Sequence, residues 1–316
     1  MLAHFGSIAL GVLVLMLGTD SAAKGMAGAL APRGGNVYAS ALAGCVVSAI
    51  LPATAVLLAA LVTGQNDLAL GGLVGGAIAQ FGLVLGLAAL VAPLVLRLRA
   101  FTWINPALLV VIALLVALGL DQRYAMVDGA ILIGAFLIAG VVFVRGARHE
   151  RVAAQALFET PVRVFGAGQT ALRIVLGLVL SGAGAWLLVR GGTGLSAALG
   201  WSPLIVGLIV LGGAVSLSAA PAAMLAAHLR HGDLAVGQAL VGALVNLTLL
   251  FGALVLVTPI AIPPSLIRVE LPVLFALALA VYPMILSDGE LSRREGGILL
   301  LAGALFIAGE VWFAMG

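Results

Sequence analysis

The sequence predicts an all-α membrane protein with ten transmembrane helices, arranged as two inverted five-helix repeats. Hydrophobic residues make up 63% of its 316 residues and charged residues only 9%, whereas a soluble domain carries about 25% charged residues. Apolar runs of about 20 residues, long enough to cross a bilayer, recur along the whole chain. The polar breaks and prolines of the first half also recur in the second half, which indicates an internal repeat.

Ten apolar windows lie between breaks that contain glycine, proline or charged residues, and each window is predicted to be one membrane helix. The breaks at 32–35 and 64–67 are typical, because Pro-Arg-Gly-Gly and Gly-Gln-Asn-Asp both favour turns. The predicted spans are 5–24, 37–63, 68–94, 101–119, 126–145, 168–190, 202–229, 233–258, 269–287 and 294–315.

Segments of the first half match segments of the second half at a separation of 166 to 169 residues. The matched pairs are 65–72 with 231–238, 50–53 with 219–222, and 121–129 with 288–296. Each copy contains five predicted helices, an odd number, so the second copy must cross the membrane in the opposite sense. Inverted repeats are typical of secondary transporters, whose substrate site lies where the repeats meet near the bilayer midplane.

The repeat divides the chain into a first five-helix unit at 1–145, a connector at 146–167 and a second unit at 168–316. With the N-terminus outside, the inner side receives twelve of the fifteen basic residues and the outer side receives only Arg123, Arg190 and Arg268. Basic residues favour the cytoplasmic side. The sequence therefore predicts a bacterial inner (plasma) membrane protein with both termini outside and a cytoplasmic connector.

The composition also excludes several classes of function. The single Cys45 excludes disulfides and a multi-cysteine metal site. The net charge of +3 comes from dispersed basic residues, so nucleic acid is not an expected partner. No Ser/His/Asp set, metal cluster or nucleotide-binding loop is recognisable, and we expect neither an enzyme nor a cofactor. The expected partners are the lipid bilayer and a small ion or solute.

Pro52 and Pro221 lie within the second and seventh predicted helices, at matched positions of the two repeats. A proline inside a helix removes a backbone donor and frees the carbonyl one turn earlier. Lipid cannot hydrogen-bond that carbonyl, so it must face protein, water or an ion. The pair is interpreted as two hinges beside a binding region, with a simple kink in each helix as the alternative.

Two amides, Gln80 and Asn246, are the main candidates for substrate binding, because polar side chains deep in membrane helices usually face the interior of the bundle. The alternative is that they hold neighbouring helices together by hydrogen bonds. Hydroxyl groups on the proline-containing helices could add ligands, although serine and threonine often only pack in membrane helices. These hydroxyl candidates are Ser48, Thr54, Ser216 and Ser218.

The chain resembles the cation/calcium exchanger superfamily over nearly its full length. Residues 199–208, LGWSPLIVGL, look like the entry to an α-repeat of sodium/calcium exchangers, and 67–71 and 233–237 resemble the start of the second helix in each α-repeat. Residues 288–296 are similar to the linker before the last helix of that family. The resemblance implies a ten-helix exchanger fold and cation transport.

The motifs that bind calcium in that family are altered in this sequence. The family's Gly-Thr-Ser-x-Pro-Glu corresponds to SAILPA at 48–53 and LSAAPA at 217–222, so both prolines remain and both glutamates are alanines. The family's Gly-Ser-Asn-x-x-Asn, or its variant ending in Asp, corresponds to 75–80 and 241–246, where the final amides persist. Ca²⁺ requires six to eight oxygens that include carboxylates, so no calcium site is expected.

Two functional hypotheses follow. The first is a secondary active transporter that moves a monovalent cation, a proton or a weakly polar solute by alternating access, as a cation or proton-coupled antiporter. The second is an exchanger-like protein without transport activity that serves as a structural or assembly subunit for another membrane protein. The loss of both glutamates favours the second hypothesis, and the retained prolines and amides favour the first.

Overall fold

The computed structural model describes residues 1–30, 37–97, 103–149, 166–287 and 289–315. Residues 150–165 of the predicted connector and Asp288 of the third matched segment lie outside the described residues. Nine of the described helices are long and apolar enough to cross a membrane, and a shorter apolar helix, Ile104–Leu118, follows the third of them.

Ten helices follow one another along the chain, in the order that the apolar windows predict. They are α1 Leu2–Leu30, α2 Val37–Val62, α3 Asn66–Val91, α4 Ile104–Leu118, α5 Met126–His149, α6 Ala167–Leu199, α7 Pro203–His228, α8 Gly232–Val257, α9 (Leu266–Glu270 continued by Leu271–Ser287) and α10 Arg293–Met315.

Helices α1 and α6 are longer than predicted. Their predicted ends were the charged residues Lys24 and Arg190, yet α1 continues to Leu30 and α6 to Leu199. Lys24 donates to Asp20 one turn earlier at 2.6 Å, with both side chains about half exposed, and Arg190 is exposed. A charged side chain on an exposed helix face does not interrupt the helix. Lys24 and Arg190 were therefore wrong predictions of where α1 and α6 end.

Glycines bring α1 and α6 into close contact. Each helix carries three glycines at seven-residue spacing, which keeps them on one face; they are Gly11, Gly18 and Gly25, and Gly177, Gly184 and Gly191. A Cβ added at Gly18 would lie 2.5 Å from the backbone nitrogen of Ser181, and one at Gly184 would lie 2.5 Å from that of Leu15. The first helices of the two repeats therefore pack backbone to backbone, as small residues allow in membranes.

Four two-residue strands connect the repeats to each other. β1 Leu94–Val95 pairs with β4 Glu290–Leu291, and β2 Arg123–Tyr124 pairs with β3 Ile260–Ala261, both antiparallel. β1 and β3 follow the third helix of their repeats, and β2 and β4 precede the fifth. The repeat symmetry therefore relates the pair β1–β4 to the pair β3–β2. Each pair joins a strand of one repeat to a strand of the other.

The start of the fifth helix is capped in the same way in both repeats. The N–H group of Ala125 donates to Asp128 Oδ2 before α5, and the N–H group of Ser292 donates to Glu295 Oε2 before α10, each at 2.7 Å. In both cases a carboxylate binds the backbone three residues earlier, as in a capping box. The predicted all-α fold of two inverted repeats is confirmed.

Helices α3 and α8 form the centre of the bundle. In each of them, 72% of the residues in an 18-residue apolar window are buried. The corresponding share is 11% in α5 and in α10. The third helices thus have the same burial in the two repeats, and so do the fifth helices. The central pair is shielded from lipid, and the fifth helices form the periphery.

The first part of α7 lies directly on α3, because glycines face each other across the contact. A Cβ added at Gly71 would overlap the carbonyl of Leu204, one at Gly75 the carbonyl of Leu208, and one at Gly207 the carbonyl of Leu68. No side chain fits between these two backbones.

We expect Gly75→Ala to destabilise the fold by about 1–3 kcal/mol, because the new methyl group would overlap the backbone of Leu208. The matched control is Gly134→Ala on α5, where an added Cβ meets nothing within 4 Å and better helix propensity stabilises by up to about 1 kcal/mol. Thermal unfolding of the purified proteins in detergent measures both effects. Equal midpoints for the two variants would contradict the close contact.

Candidate functional site

The amides Gln80 and Asn246 occupy equivalent positions on the central helices α3 and α8. In both helices the backbone changes from α- to π-helical at the amide, giving the π segments Gln80–Leu85 and Asn246–Leu250. A π segment interrupts the regular hydrogen-bond ladder and is frequent at functional sites. No pattern in the sequence predicted the π segments.

Each amide lies on a glycine of the opposite central helix. A Cβ added at Gly242 would lie 2.8 Å from Gln80 Nε2, and one at Gly76 would lie 2.9 Å from Asn246 Nδ2. Positions four residues apart share a helix face, so Gly76 and Gln80 on α3 face Gly242 and Asn246 on α8. The two predicted binding residues are therefore brought together across the contact between the repeats.

Both amides are fully buried, with 0% of their surface exposed. None of their four side-chain polar atoms has a hydrogen-bond partner among the described residues. Each unpaired buried polar group costs about 1–3 kcal/mol, so the fold carries a considerable penalty at this point. Together the amides offer two acceptor oxygens and two donor nitrogens for a small ligand between the repeats.

Three of the four predicted hydroxyl ligands do not join the amides. The hydroxyl of Ser48 donates to the carbonyl of Cys45 at 2.8 Å, that of Thr54 to Ile50 at 2.9 Å and that of Ser218 to Val215 at 2.7 Å. These are bonds within one helix turn, a common arrangement for hydroxyls inside helices. Their role as ligands stays a prediction.

The two predicted hinge prolines differ in their surroundings. Pro52 is buried and Pro221 is exposed, although both lie inside continuous helices. Ala53, the first of the two alanines at the family's glutamate positions, is 3% exposed and lines a cavity of about 10 Å³ between α2, α3 and α7. That volume holds one water molecule at most, so this cavity has no room for a hydrated ion.

Two further polar residues lie on the helices that carry or contact the amides: Ser216, the fourth of the predicted hydroxyls, and Gln238, which sequence reasoning did not select. The hydroxyl of Ser216 donates to the carbonyl of Gly76 at 3.2 Å, which is the glycine under Asn246. Gln238 Nε2 donates to the carbonyl of Ala219 at 2.7 Å, while its Oε1 has no partner. Gln238 lies eight residues, or about two turns, before Asn246 on α8. This spacing was the feature of the sequence that could have identified Gln238.

A larger cavity of about 160 Å³ lies between α3, the first part of α7 and α10. Its wall is apolar and rich in glycine, with Gly75, Gly82, Gly213 and Gly303 among the lining residues. Neither Gln80 nor Asn246 lines it. With 0% of their surface exposed, both amides are closed off by packing.

Charged groups gather at the end of the bundle that carries the connector. Asp233, at the start of α8, is 3% exposed, and its Oδ1 accepts the backbone N–H of Arg97 at 2.9 Å. Partial burial and the positive charge of Arg97 lower the pKa of His231. These groups lie outside the contact between the amides.

Within the described residues, no three histidine, cysteine, aspartate or glutamate side chains come together to hold a metal ion. The polar groups of the site are neutral amides and hydroxyls. A charged ligand would therefore be bound through dipoles alone.

The sequence matches the family profile described as "Sodium/calcium exchanger protein" twice, over residues 3–145 and 170–312. A search of curated proteins finds no significant match. Among solved structures, the sodium-calcium exchanger NCX_Mj soaked with 10 mM Na⁺ and 10 mM Sr²⁺ superposes with a TM-score of 0.69 at 19% identity, covering 97% of this chain and 98% of that chain.

NCX_Mj soaked with zero Na⁺ and Ca²⁺ gives a TM-score of 0.64 at 19% identity, with 98% of this chain and 99% of that chain covered. At this identity the structural match establishes the fold, and the double profile match establishes the family. The predicted resemblance is confirmed, and the chain belongs to the sodium/calcium exchanger protein family of membrane transporters.

Proposed function

We propose that the protein is a secondary active antiporter that moves a monovalent cation, and not calcium, through a site formed by Gln80 and Asn246. The observation that carries the proposal is the pair of fully buried amides without hydrogen-bond partners. Amides that served only to hold helices together would be hydrogen-bonded to the neighbouring helix. Unpaired amides at the contact between two inverted repeats are better explained by a ligand.

The chemistry of the site supports a singly charged cargo. Amide oxygens can replace part of the hydration shell of a small cation, but they carry no charge to compensate a divalent ion. The desolvation cost of an ion grows with the square of its charge, so calcium would keep a large uncompensated cost at this site. The alanines at 53 and 222 stand where the family motif has its carboxylates.

The repeat symmetry supports alternating access. The amides, their π segments and the glycines beneath them are matched across the two repeats. A site on the symmetry axis can open to either side when one repeat moves against the other. With 0% of either amide exposed, the described arrangement corresponds to a closed intermediate between the two open states.

We expect Gln80→Met and Asn246→Leu to leave the stability of the fold unchanged or to raise it by about 1 kcal/mol, because each removes unpaired buried polar atoms. The control is Tyr124→Phe, which deletes a fully buried hydroxyl that donates to the carbonyl of Leu115 at 2.8 Å and should cost about 1 kcal/mol. Thermal unfolding in detergent compares the three variants. Amide variants as unstable as Tyr124→Phe would indicate that the amides hold the helices together.

We expect purified protein in liposomes to exchange labelled sodium or rubidium against an opposing cation gradient, and to move no calcium above the level of empty liposomes. The double variant Gln80→Met/Asn246→Leu should lower the exchange by about tenfold or more, equivalent to about 1.4 kcal/mol of lost binding. Asp20→Asn, on the exposed face of α1, is the control that keeps exchange.

Two results would contradict this function. Sodium-driven calcium uptake that the amide variants abolish would show that the cargo is calcium. Absence of flux for every tested cation, together with stable co-purification of another membrane protein, would favour the alternative of a transport-inactive assembly subunit.

We also propose that both termini lie outside the cytoplasm of a bacterial cell and that the connector at 146–167 is cytoplasmic. The support is the distribution of basic residues, twelve on one side and three on the other. Alkaline phosphatase, which is active only outside the cytoplasm, should be active when fused after Gly316 and inactive when fused within the connector. The opposite pattern of activity would reverse the orientation.

A further inference from the structure

Gln238 is a third buried amide of the central helices, and the proposed function leaves it without a role. It lies on α8 with 2% of its surface exposed. Its Nε2 donates to the carbonyl of Ala219 on α7 at 2.7 Å. A carbonyl oxygen can only accept a hydrogen bond, so the amide nitrogen must face Ala219 and the amide oxygen must point away from it.

The amide oxygen of Gln238 is not used by the fold. Oε1 is completely buried and has no hydrogen-bond partner in the part of the chain that the structure describes. A buried acceptor without a partner destabilises the protein, and an apolar side chain of the same length would avoid that cost. The bond between α8 and α7 through Nε2 therefore accounts for only half of this amide group.

The repeat symmetry indicates the space toward which this side chain is directed. In the matched segments of the two repeats, Gln238 corresponds to Gly72 and Ala222 corresponds to Ala53. Gly72 and Ala53 line the cavity of about 10 Å³ in the first repeat. The side chain of Gln238 therefore extends toward the corresponding space of the second repeat. Its bond to Ala219 agrees with this direction, because residues 219 and 222 share a face of α7.

One face of α7 connects Gln238 with the contact between the central helices. The hydroxyl of Ser216 donates to the carbonyl of Gly76 at 3.2 Å, and a Cβ added at Gly76 would lie 2.9 Å from Asn246 Nδ2. Ser216 precedes Ala219 by three residues, which is about 4.5 Å along the helix axis. The bond that Gln238 makes to α7 is thus about one turn from the bond that reaches the glycine beneath Asn246.

Asn105 is a buried amide of the same kind outside this region. It is 1% exposed, its Nδ2 donates to the carbonyl of Ala278 at 3.0 Å, and its Oδ1 has no partner among the described residues. This bond joins α4 to α9, and neither helix carries a residue of the proposed cation site. An unpaired oxygen alone is therefore not specific, and the position of Gln238 between α7 and α8 is what distinguishes it.

We propose that Gln238 Oε1 is a further ligand of the transported cation, on the connector side of Gln80 and Asn246. The inference rests on the proposed function, because it concerns the same cargo. An amide oxygen replaces a water molecule of the hydration shell without adding net charge, which suits a monovalent ion. Since the first repeat has Gly72 at the equivalent position, the cation ligands extend toward one side of the membrane only.

Thermal unfolding in detergent tests the ligand without measuring transport, because a cation that binds the folded protein stabilises it. Sodium or rubidium chloride is increased while choline chloride keeps the ionic strength constant. Gln238→Met keeps the side-chain length and removes the oxygen. We expect this variant to need about tenfold more cation than the wild-type protein for the same rise in unfolding temperature. Gln238→Asn keeps the amide but withdraws its oxygen, so it should also need more cation, and it provides the same test if the methionine variant does not fold.

Asn105→Leu is the matched control and should keep the cation dependence of the wild-type protein. A wild-type cation dependence in the Gln238 variants would overturn the inference, and so would an equal loss in Asn105→Leu. If the Gln238 variants bind normally while Gln80→Met and Asn246→Leu bind weakly, only this inference fails. If no monovalent cation stabilises the wild-type protein, the proposed function fails together with it.

Discussion

The crossing of α3 and α8 at two glycines is the contact on which the rest of the structure depends. Because Gly76 and Gly242 carry no side chain, the amide of the opposite helix can lie directly on each backbone. The same absence of side chains lets α3 lie on the first part of α7 at Gly71 and Gly75. The central helices are thereby packed too closely to admit water, and any polar group between them must find its partner in protein or in a ligand.

The inverted symmetry is closely kept where the repeats meet and lost elsewhere. The π segments, the exchanged strand pairs and the caps of the fifth helices occur in both repeats. Within the described residues, buried carboxyl groups occur only in the second repeat, where Glu270 and Glu310 correspond to Trp103 and Phe143 of the first. A symmetric centre suits the alternating access proposed above, because the two repeats would exchange conformations there.

The alanines at 53 and 222 change the electrostatics of an exchanger scaffold without changing its shape. The cavity lined by Ala53 has a volume of only about 10 Å³, and the neutral amides of Gln80 and Asn246 are among the buried polar groups between the repeats. The buried carboxyl groups of Glu270 and Glu310 lie instead at the start of α9 and near the end of α10. In the low dielectric of the membrane interior this redistribution weakens any divalent site at the centre.

The sequence by itself determined the ten helices, their inverted repeat and the choice of Gln80 and Asn246, because apolar length, helix punctuation and isolated amides are local properties of the chain. Only the tertiary structure decided that α1 and α6 pass through Lys24 and Arg190. It also decided that the hydroxyls of Ser48, Thr54 and Ser218 bond within their own helices, whereas that of Ser216 bonds to Gly76. These outcomes depend on which faces of distant helices meet, and helix-to-helix register in a membrane is set by side-chain packing that no single segment encodes.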